Sequence, residues 1–159
     1  MKGKVKAIPE GFHTLTASLV VRDAAQAIEF YKKAFGARVR SIFYGPDGKT
    51  IVHAELEIGD SILMLSDEFP EMNVVSPQSP GGGASAGIFM YVEDVDAVFK
   101  KAVSSGATVI MPLMDAFWGD RAGGIVDPFG YRWSLATHIK DLSREEIEEG
   151  SKEAFAKMS

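Results

Sequence analysis

The sequence predicts an α+β protein that contains two copies of one β-α-β-β-β unit. In each copy a short β-rich segment leads to an aspartate, a helical stripe of apolar residues follows, and a glycine precedes the next strand. The copies match at an offset of 70 or 71 residues with several unlike features in the same order, which indicates a duplicated unit. The matched segments are Val21-Arg22-Asp23 with Val92-Glu93-Asp94, Gly36-Ala37-Arg38-Val39 with Gly106-Ala107-Thr108-Val109, and Gly59 with Gly130.

The first copy is predicted over about residues 13–66. Asp23 is placed to cap a helix whose apolar residues recur at helical spacing, and Gly36 is placed to end it. Turn sequences at 45–48 and 59–60 separate the strands that follow. The predicted strands cover residues 15–21, 38–44, 49–58 and 61–66.

The second copy is predicted over about residues 87–138. Asp94 is the helix cap here, and Gly106 is placed to end the helix. An Asp-Pro-Phe-Gly turn joins the last two strands into a hairpin, and residues 113–117 are expected to be irregular. The predicted strands cover residues 88–92, 107–111, 121–127 and 131–137.

Two further segments complete the chain. Residues 67–86 contain three prolines and a run of three glycines, which is typical of a connector or a binding lid. Residues 143–158 are predicted to form a helix that begins with a capping box of Ser143 and Glu146. Its apolar residues are sparse, so we expect this helix to pack along one edge or against a second subunit.

Composition and charge exclude several classes of protein. A chain of 159 residues suffices for a single domain with a buried core, and the lack of cysteine excludes zinc ribbons, thiolate nucleophiles and iron–sulfur sites. A net charge of −5 argues against a nucleic-acid partner. No apolar run approaches the ~18 residues of a membrane span, and the start of the chain lacks the pattern of a secretory signal. We therefore expect a cytoplasmic protein with neither nucleic-acid nor membrane partners.

Seven segments carry a resemblance to a known superfamily over about residues 13–138. They are Leu19-Val20-Val21-Arg22-Asp23, Ile28-Glu29-Phe30-Tyr31, Phe35-Gly36-Ala37, Val92-Glu93-Asp94-Val95-Asp96, Trp118-Gly119-Asp120-Arg121, Asp127-Pro128-Phe129-Gly130-Tyr131-Arg132-Trp133 and Trp133-Ser134-Leu135-Ala136-Thr137-His138. These segments resemble motifs of the vicinal oxygen chelate superfamily, which includes glyoxalase I, bleomycin-resistance proteins, fosfomycin-resistance enzymes and extradiol dioxygenases. Within the superfamily the resemblance is greatest to the PhnB-like, glyoxalase-like group.

The resemblance implies a curved mixed sheet, built by the two repeats around a cleft that a second subunit often completes. Metal-dependent members hold His, Glu or Gln at four cleft positions, one on each of four strands. Counted from the shared motifs, these positions are Thr16, Glu55, Gly87 and Ser134. Glycine has no side chain and neutral hydroxyls are poor ligands for a transition metal, so only Glu55 could bind one strongly. We therefore expect no metal and no other cofactor.

A different set of residues could still hold a metal ion. His53 and Glu55 are two residues apart on one strand and point to the same side, and His138 shares a side with Ser134. His53, Glu55 and His138 would make a site of two histidines and one carboxylate. The alternative is that His53 is hydrogen-bonded to a neighbour and that His138 ends its strand near the surface.

Glu55 and the segment 118–121 are the other candidates for the site. In an apolar cleft Glu55 could act as a general base, whereas the alternative is an ion pair with Arg132, Arg121 or a lysine. Trp118 could form a flat apolar wall and Arg121 could bind an anion, or the indole could lie in the core with Arg121 in solvent. We expect Glu55 and this segment to line one pocket, with residues 67–86 over its mouth.

Three classes of function follow from these residues. The first is a glyoxalase- or bleomycin-resistance-like protein that binds a small molecule without metal, as a homodimer. The second is a lyase or isomerase that uses Glu55 as base, with or without an unusual metal site. The third is a non-catalytic interaction protein. The residues predicted to bind the ligand are Thr16, His53, Glu55, Gly87, Trp118, Arg121, Ser134 and His138.

Overall fold

The chain folds into two compact units, and the sequence divides between them after Ala84. The structure is a computed structural model and describes residues 5–157. The basic start of the chain at residues 1–4 and the predicted helix end at Met158 therefore lie outside the described residues. We call the two parts unit one and unit two and describe each by itself.

Unit one is a four-stranded mixed sheet with one helix. Its elements are β1 (Ala17–Val21), α1 (Ala24–Phe35), β2 (Arg38–Tyr44), β3 (Ile51–Ile58) and β4 (Ser61–Asp67). The strands lie in the order β1-β4-β3-β2. β1 is parallel to β4, and the other neighbours are antiparallel.

Helix α1 begins and ends at residues whose chemistry favours a helix boundary. The Asp23 carboxylate accepts a hydrogen bond from the N–H of Gln26 at 3.0 Å. Gly36 ends the helix in the left-handed region, with a φ of 66°. The apolar side of α1 then packs on the sheet and forms the core of this unit. The core includes Leu19, Val21, Ala27, Ile28, Tyr31, Ala54, Leu56, Leu63 and Leu65.

Unit two repeats this architecture. Its elements are β5 (Gly87–Tyr91), α2 (Val95–Ser104), β6 (Thr108–Asp115), β7 (Asp120–Val126), β8 (Arg132–His138) and α3 (Arg144–Ala156). The strands lie in the order β5-β8-β7-β6, with β5 parallel to β8. The predicted α+β fold with two β-α-β-β-β repeats is confirmed, and the order of strands is the same in both sheets.

The Asp-Pro-Phe-Gly turn is held by its first residue. The carboxylate of Asp127 accepts hydrogen bonds from the N–H groups of Phe129 at 2.9 Å and Tyr131 at 3.0 Å. It also accepts one from the indole of Trp133 at 2.9 Å. One buried carboxylate therefore fixes both the turn and the first buried side chain of β8, which explains why the motif marks this hairpin.

Two segments are more ordered than the sequence predicts. β6 continues to Asp115 through part of the segment expected to be irregular, because it stays paired with β7 around two register shifts. Pro112 is tolerated there because β6 is an edge strand. In the connector, the Glu68 carboxylate accepts hydrogen bonds from the N–H of Ser76 and the hydroxyl of Ser79, at 2.9 and 2.8 Å.

The C-terminal helix has the predicted start. Ser143 and Glu146 form the reciprocal hydrogen bonds of a capping box. A Cβ atom built on Gly150 would lie 2.9 Å from Cβ of Phe117, so α3 approaches the segment between β6 and β7 closely. Among the helices within residues 5–157, none has the length and hydropathy needed to cross a membrane.

Candidate functional site

In unit two helix α2 packs on one side of the sheet. Gly123 faces α2, because a Cβ atom built on it would lie 2.6 Å from the ring of Phe99. Thr137 also faces α2, since its hydroxyl accepts a hydrogen bond from the N–H of Val95 at 2.9 Å. Side chains alternate along a strand, so the residues next to Gly123 and Thr137 point the other way. We call that side the open face of unit two.

Large apolar side chains flank small ones on the open face of unit two. Phe89 and Tyr91 on β5 are 50% and 62% exposed, and their ring centroids are 5.0 Å apart. Met111 and Met114 lie on β6 at the other edge of the sheet and are partly exposed as well. Small residues lie between these two edges, and Ala122, Gly124 and Ala136 among them are buried. Tyr91 reaches across β8 to Asp120 on β7. The small residues are Gly87, Ala122, Gly124, Ser134 and Ala136, and Arg132 lies on the same side at the start of β8.

A buried carboxylate lies at one end of this face. Asp120 is only 1% exposed. It accepts hydrogen bonds from Nδ1 of His138 at 2.8 Å, Nε1 of Trp118 at 2.8 Å and the hydroxyl of Tyr91 at 2.9 Å. The other ring nitrogen of His138, Nε2, lies 2.9 Å from a carboxylate oxygen of Asp141, whose side chain is fully exposed. Three donors thus satisfy the buried charge.

The groups of this cluster shift one another's pKa. Burial raises the pKa of Asp120, but the hydrogen bonds from His138, Tyr91 and Trp118 outweigh it and hold that pKa below its ordinary value. The hydrogen bond to Asp120, followed by that to Asp141, raises the pKa of His138. The hydrogen bond to Asp120 also raises the pKa of Tyr91. The cluster therefore favours an ionised carboxylate, a protonated imidazole and a neutral phenol.

The sheet of unit one has an open face too, on the side away from α1, and it carries charged groups. Glu55 lies between His53, 3.2 Å from its Nε2, and Arg40, 3.5 Å from its Nε. Phe43 is the cross-strand partner of His53, and the centroids of the two rings are 6.2 Å apart. Ser41, the partner of Glu55, has a buried hydroxyl that finds no hydrogen-bond partner among the described residues. Glu55 is thus ion-paired with Arg40, not with Arg132, Arg121 or a lysine.

The segment before β1 lies against this second open face. Arg40 donates a hydrogen bond to the carbonyl of Glu10 at 2.8 Å, and its guanidinium carbon lies 5.2 Å from the ring centroid of Phe12. A Cβ atom built on Gly11 would lie 2.6 Å from Nη1 of Arg40 and 3.5 Å from Cδ1 of Ile62. Arg40 therefore holds both Glu55 and the segment 10–12.

Two of the four predicted cleft positions, Thr16 and Gly87, lie at comparable places in the two repeats. Thr16 directly precedes β1, Gly87 is the first residue of β5, and Ser134 lies in the middle of β8. Gly87 and Ser134 are both on the open face of unit two, where they are among the small residues.

The fourth position differs from the prediction. Ser134 pairs with Phe89 across the parallel strands of unit two, and the corresponding pair in unit one is Met64 with Ser18. The counterpart of Ser134 is therefore Met64 on β4. Glu55 lies on β3, directly opposite Met64 in the antiparallel ladder. Counting residues from a shared motif assigns this position to β3 instead of β4. The two strands form a hairpin and have similar sequence patterns, so the count alone does not separate them.

The corrected set of positions does not suit a divalent metal ion. Thr16 and Ser134 offer hydroxyls, Met64 offers a thioether and Gly87 offers no side chain. Sites for such ions depend on imidazole and carboxylate ligands, which this set lacks.

The alternative ligand set is divided between the two units. His53 and Glu55 contact each other in unit one, whereas His138 belongs to unit two and contacts Asp120 and Asp141. Over residues 5–157, no group of three or more His, Cys, Asp or Glu side chains is arranged to hold a metal ion.

Trp118 and Arg121 point to different sides of their sheet. Trp118 is 37% exposed and is held by Asp120, so it is neither a core residue nor a free wall. Arg121 lies on the side of α2, where it donates to both carboxylate oxygens of Asp96 at 2.8 and 2.9 Å and to Asp115 at 3.1 Å. These bonds raise the pKa of Arg121. Arg121 is therefore occupied by the chain's own carboxylates and lies away from the open face.

Sequence reasoning selected Trp118 and His138 but missed Asp120, which binds both. A signal was present in the hairpin. Asp120 and His138 lie at similar distances on either side of the Asp-Pro-Phe-Gly turn, and the ladder pairs them directly. No sequence pattern points to Tyr91, because its contact with Asp120 depends on the parallel pairing of β5 with β8.

Comparisons with known proteins agree with this architecture. An uncharacterised protein of Mycobacterium bovis is 44% identical over 136 residues, which are 84% of this chain and 89% of that protein. TioX from Micromonospora sp. ML1 is 29% identical with a TM-score of 0.64, over 80% of this chain and 100% of TioX. A PhnB protein from Bacillus cereus is 21% identical with a TM-score of 0.59, over 79% of this chain and 99% of that protein, and this likeness concerns the fold alone.

The family assignment rests on a match that spans both repeats. The profile of the Glyoxalase/Bleomycin resistance protein/Dioxygenase superfamily matches residues 12–135. That range runs from the segment that contacts Arg40 to the middle of β8 and includes the Asp-Pro-Phe-Gly turn. The chain belongs to the glyoxalase/bleomycin resistance protein/dioxygenase superfamily.

Proposed function

We propose that the protein binds a small, largely apolar molecule on the open face of unit two, and that it does so without a metal ion. The observation that supports this most is the run of small residues between Phe89 and Tyr91 on one side and Met111 and Met114 on the other. A planar molecule placed against these residues can contact the aromatic and thioether groups beside them. Gly87 has no side chain and Ser134 has a small one where metal-dependent relatives hold ligand side chains.

We further propose that the protein acts as a cytoplasmic homodimer, with neither nucleic acid nor a membrane as partner. Apolar side chains on the edge strand β6 support the dimer, because Val109, Ile110 and Met111 are all exposed in one chain. Bleomycin is a natural ligand to test, since proteins that confer resistance to it give the superfamily part of its name.

The experiment uses the neutral fluorescent probe N-phenyl-1-naphthylamine, with metal-free bleomycin as a second probe. Phe89→Ala is expected to weaken binding of the naphthylamine roughly threefold to tenfold, since an aromatic contact contributes about 0.5–1.5 kcal/mol. Phe155→Ala is the matched control, because Phe155 is an exposed phenylalanine on α3. Equal binding by the wild type and Phe89→Ala would refute the proposed site.

Elemental analysis of the same preparation tests the second half of the proposal. We expect well under one metal ion per chain, and removal of metal by a chelator should leave probe binding unchanged. One nickel, zinc, iron or manganese ion per chain, lost together with probe binding, would contradict a metal-free site.

A second candidate function is proton transfer by Glu55. The contact of Glu55 with His53 at 3.2 Å and the unpaired hydroxyl of Ser41 beside it support a polar site on the open face of unit one. As a lyase or isomerase, the protein would use the Glu55 carboxylate to take a proton from its substrate. Glu55→Gln should then abolish turnover and leave binding of N-phenyl-1-naphthylamine to unit two unchanged.

A further inference from the structure

The polar end of the open face of unit two contains a histidine whose outer nitrogen is met by a carboxylate. Nδ1 of His138 donates to the buried Asp120, so the ring is held in one orientation. Nε2 then faces outward and meets Asp141 at 2.9 Å. The Asp141 side chain is fully exposed, and exposed ion pairs contribute little stability. The Asp141 carboxylate thus occupies the position next to Nε2 of His138. A ligand carboxylate could replace it there with little loss of stability.

The same buried carboxylate also binds an aromatic side chain, that of Tyr91. Asp120 accepts the hydroxyl of Tyr91 at 2.9 Å with its other oxygen. The hydroxyl of Tyr91 and Nδ1 of His138 are therefore separated only by one carboxylate group. Phe89 lies on β5 as well, with its ring centroid 5.0 Å from that of Tyr91. A ring that lies against these two side chains can carry an acidic group that reaches His138.

We propose that unit two binds an aromatic carboxylate, with its ring against Phe89 and Tyr91 and its carboxylate on Nε2 of His138 in place of Asp141. This inference rests on the proposed function and names the class of its ligand. A single charged N–H donor matches one carboxylate oxygen, whereas a phosphate is normally held by several donors. Asp120 acts here as a positioning residue, because it fixes both the imidazole and the phenol without touching the ligand.

The test compares two probes that differ only in charge, 2-naphthoate and 2-naphthamide, by fluorescence titration at pH 5.5. The wild type should bind the naphthoate at least threefold more tightly than the naphthamide. Asp141→Asn removes the competing carboxylate and should tighten naphthoate binding at least threefold while leaving naphthamide binding unchanged. Glu145→Gln, which removes one exposed negative charge from the first turn of α3, is the matched control and should change neither.

His138→Gln completes the test. It should remove the preference for naphthoate, and the double variant with Asp141→Asn should bind naphthoate no more tightly than His138→Gln alone. If His138→Gln fails to fold, the imidazole signals of His138 in the wild type, followed by NMR, should shift on addition of naphthoate and not of naphthamide.

The outcomes separate this inference from the proposed function. Binding of naphthamide that is weakened by Phe89→Ala, with no response of naphthoate binding to Asp141→Asn, would overturn the carboxylate site and leave the apolar site standing. Absence of binding for both probes would overturn both.

Discussion

Asp120 and Asp127 are both buried carboxylates of unit two, and each accepts a hydrogen bond from a tryptophan indole. Burial of a charge is costly unless donors replace the lost water. Asp127 also accepts hydrogen bonds from backbone N–H groups of its own turn. Asp120 accepts hydrogen bonds from side chains on β5 and β8 and in the segment before β7. Asp127 therefore holds its own hairpin together, whereas Asp120 joins side chains of the proposed site.

The pairing of Asp120 with His138 should make stability depend on pH. The pKa of His138 is raised in the folded state, so its contribution is fully present below the unfolded value of about 6.5 and is lost as the pH rises through the folded value. The pKa of Asp120 is lowered, so its contribution is present above about 3.9 and is lost as the pH falls through the folded value. His138→Gln should therefore destabilise the protein more at pH 5.5 than at pH 9.

Urea unfolding at the two pH values measures this difference. His13→Gln makes the same chemical change in the exposed segment before β1 and is the matched control for the substitution itself. An equal loss of stability at pH 5.5 and pH 9 for His138→Gln would show that the pair does not carry the charge described here.

At the scale of elements, α2 packs closely on its sheet because Gly123 has no side chain. Gly123 in the middle of β7 lets the ring of Phe99 approach the strand, and the backbone carbonyl of Met111 lies 3.1 Å from where its Cβ would be. Alternation then directs Ala122 and Gly124 to the open face. One run of small residues in β7 thus affects both sides of the sheet, with close packing of α2 on one side and small side chains on the other.

Gly123→Ala should destabilise the protein by about 1–3 kcal/mol, because its methyl group would force Phe99 and β6 outward. Gly83→Ala is the matched control, since a Cβ atom there meets nothing within 4 Å, and it should change stability by less than about 0.5 kcal/mol. Denaturant unfolding of both variants measures the effect. A loss below about 0.5 kcal/mol for Gly123→Ala would mean that the helix adjusts without cost.

Across the whole molecule, the duplication accounts for what the sequence could predict. Helix caps such as Asp23 and Asp94 and terminating glycines such as Gly36 act locally, so their pattern appears directly in the sequence and repeats. The site depends on register between strands far apart in the chain. Glu55 was therefore assigned a position that belongs to Met64, and the role of Asp120 depends on two strand pairings at once. Patterns within one strand do not contain that information.

The oligomeric state is a prediction at the scale of the whole molecule. We expect a homodimer, because one chain leaves the apolar side chains of β6 and of both open faces exposed. Light scattering at micromolar concentration should give about 34 kDa, twice the 17.2 kDa of one chain. A mass of 17.2 kDa that persists on concentration would contradict this expectation.

The two indoles described above also make the chain its own spectroscopic reporter. The sequence contains two tryptophans, Trp118 and Trp133, and both belong to unit two. Emission excited selectively in tryptophan therefore follows the unfolding of unit two alone, whereas far-ultraviolet circular dichroism follows both sheets. Where the two signals coincide during denaturation, the duplicated halves unfold as one cooperative body; where they separate, each half is an independent folding unit.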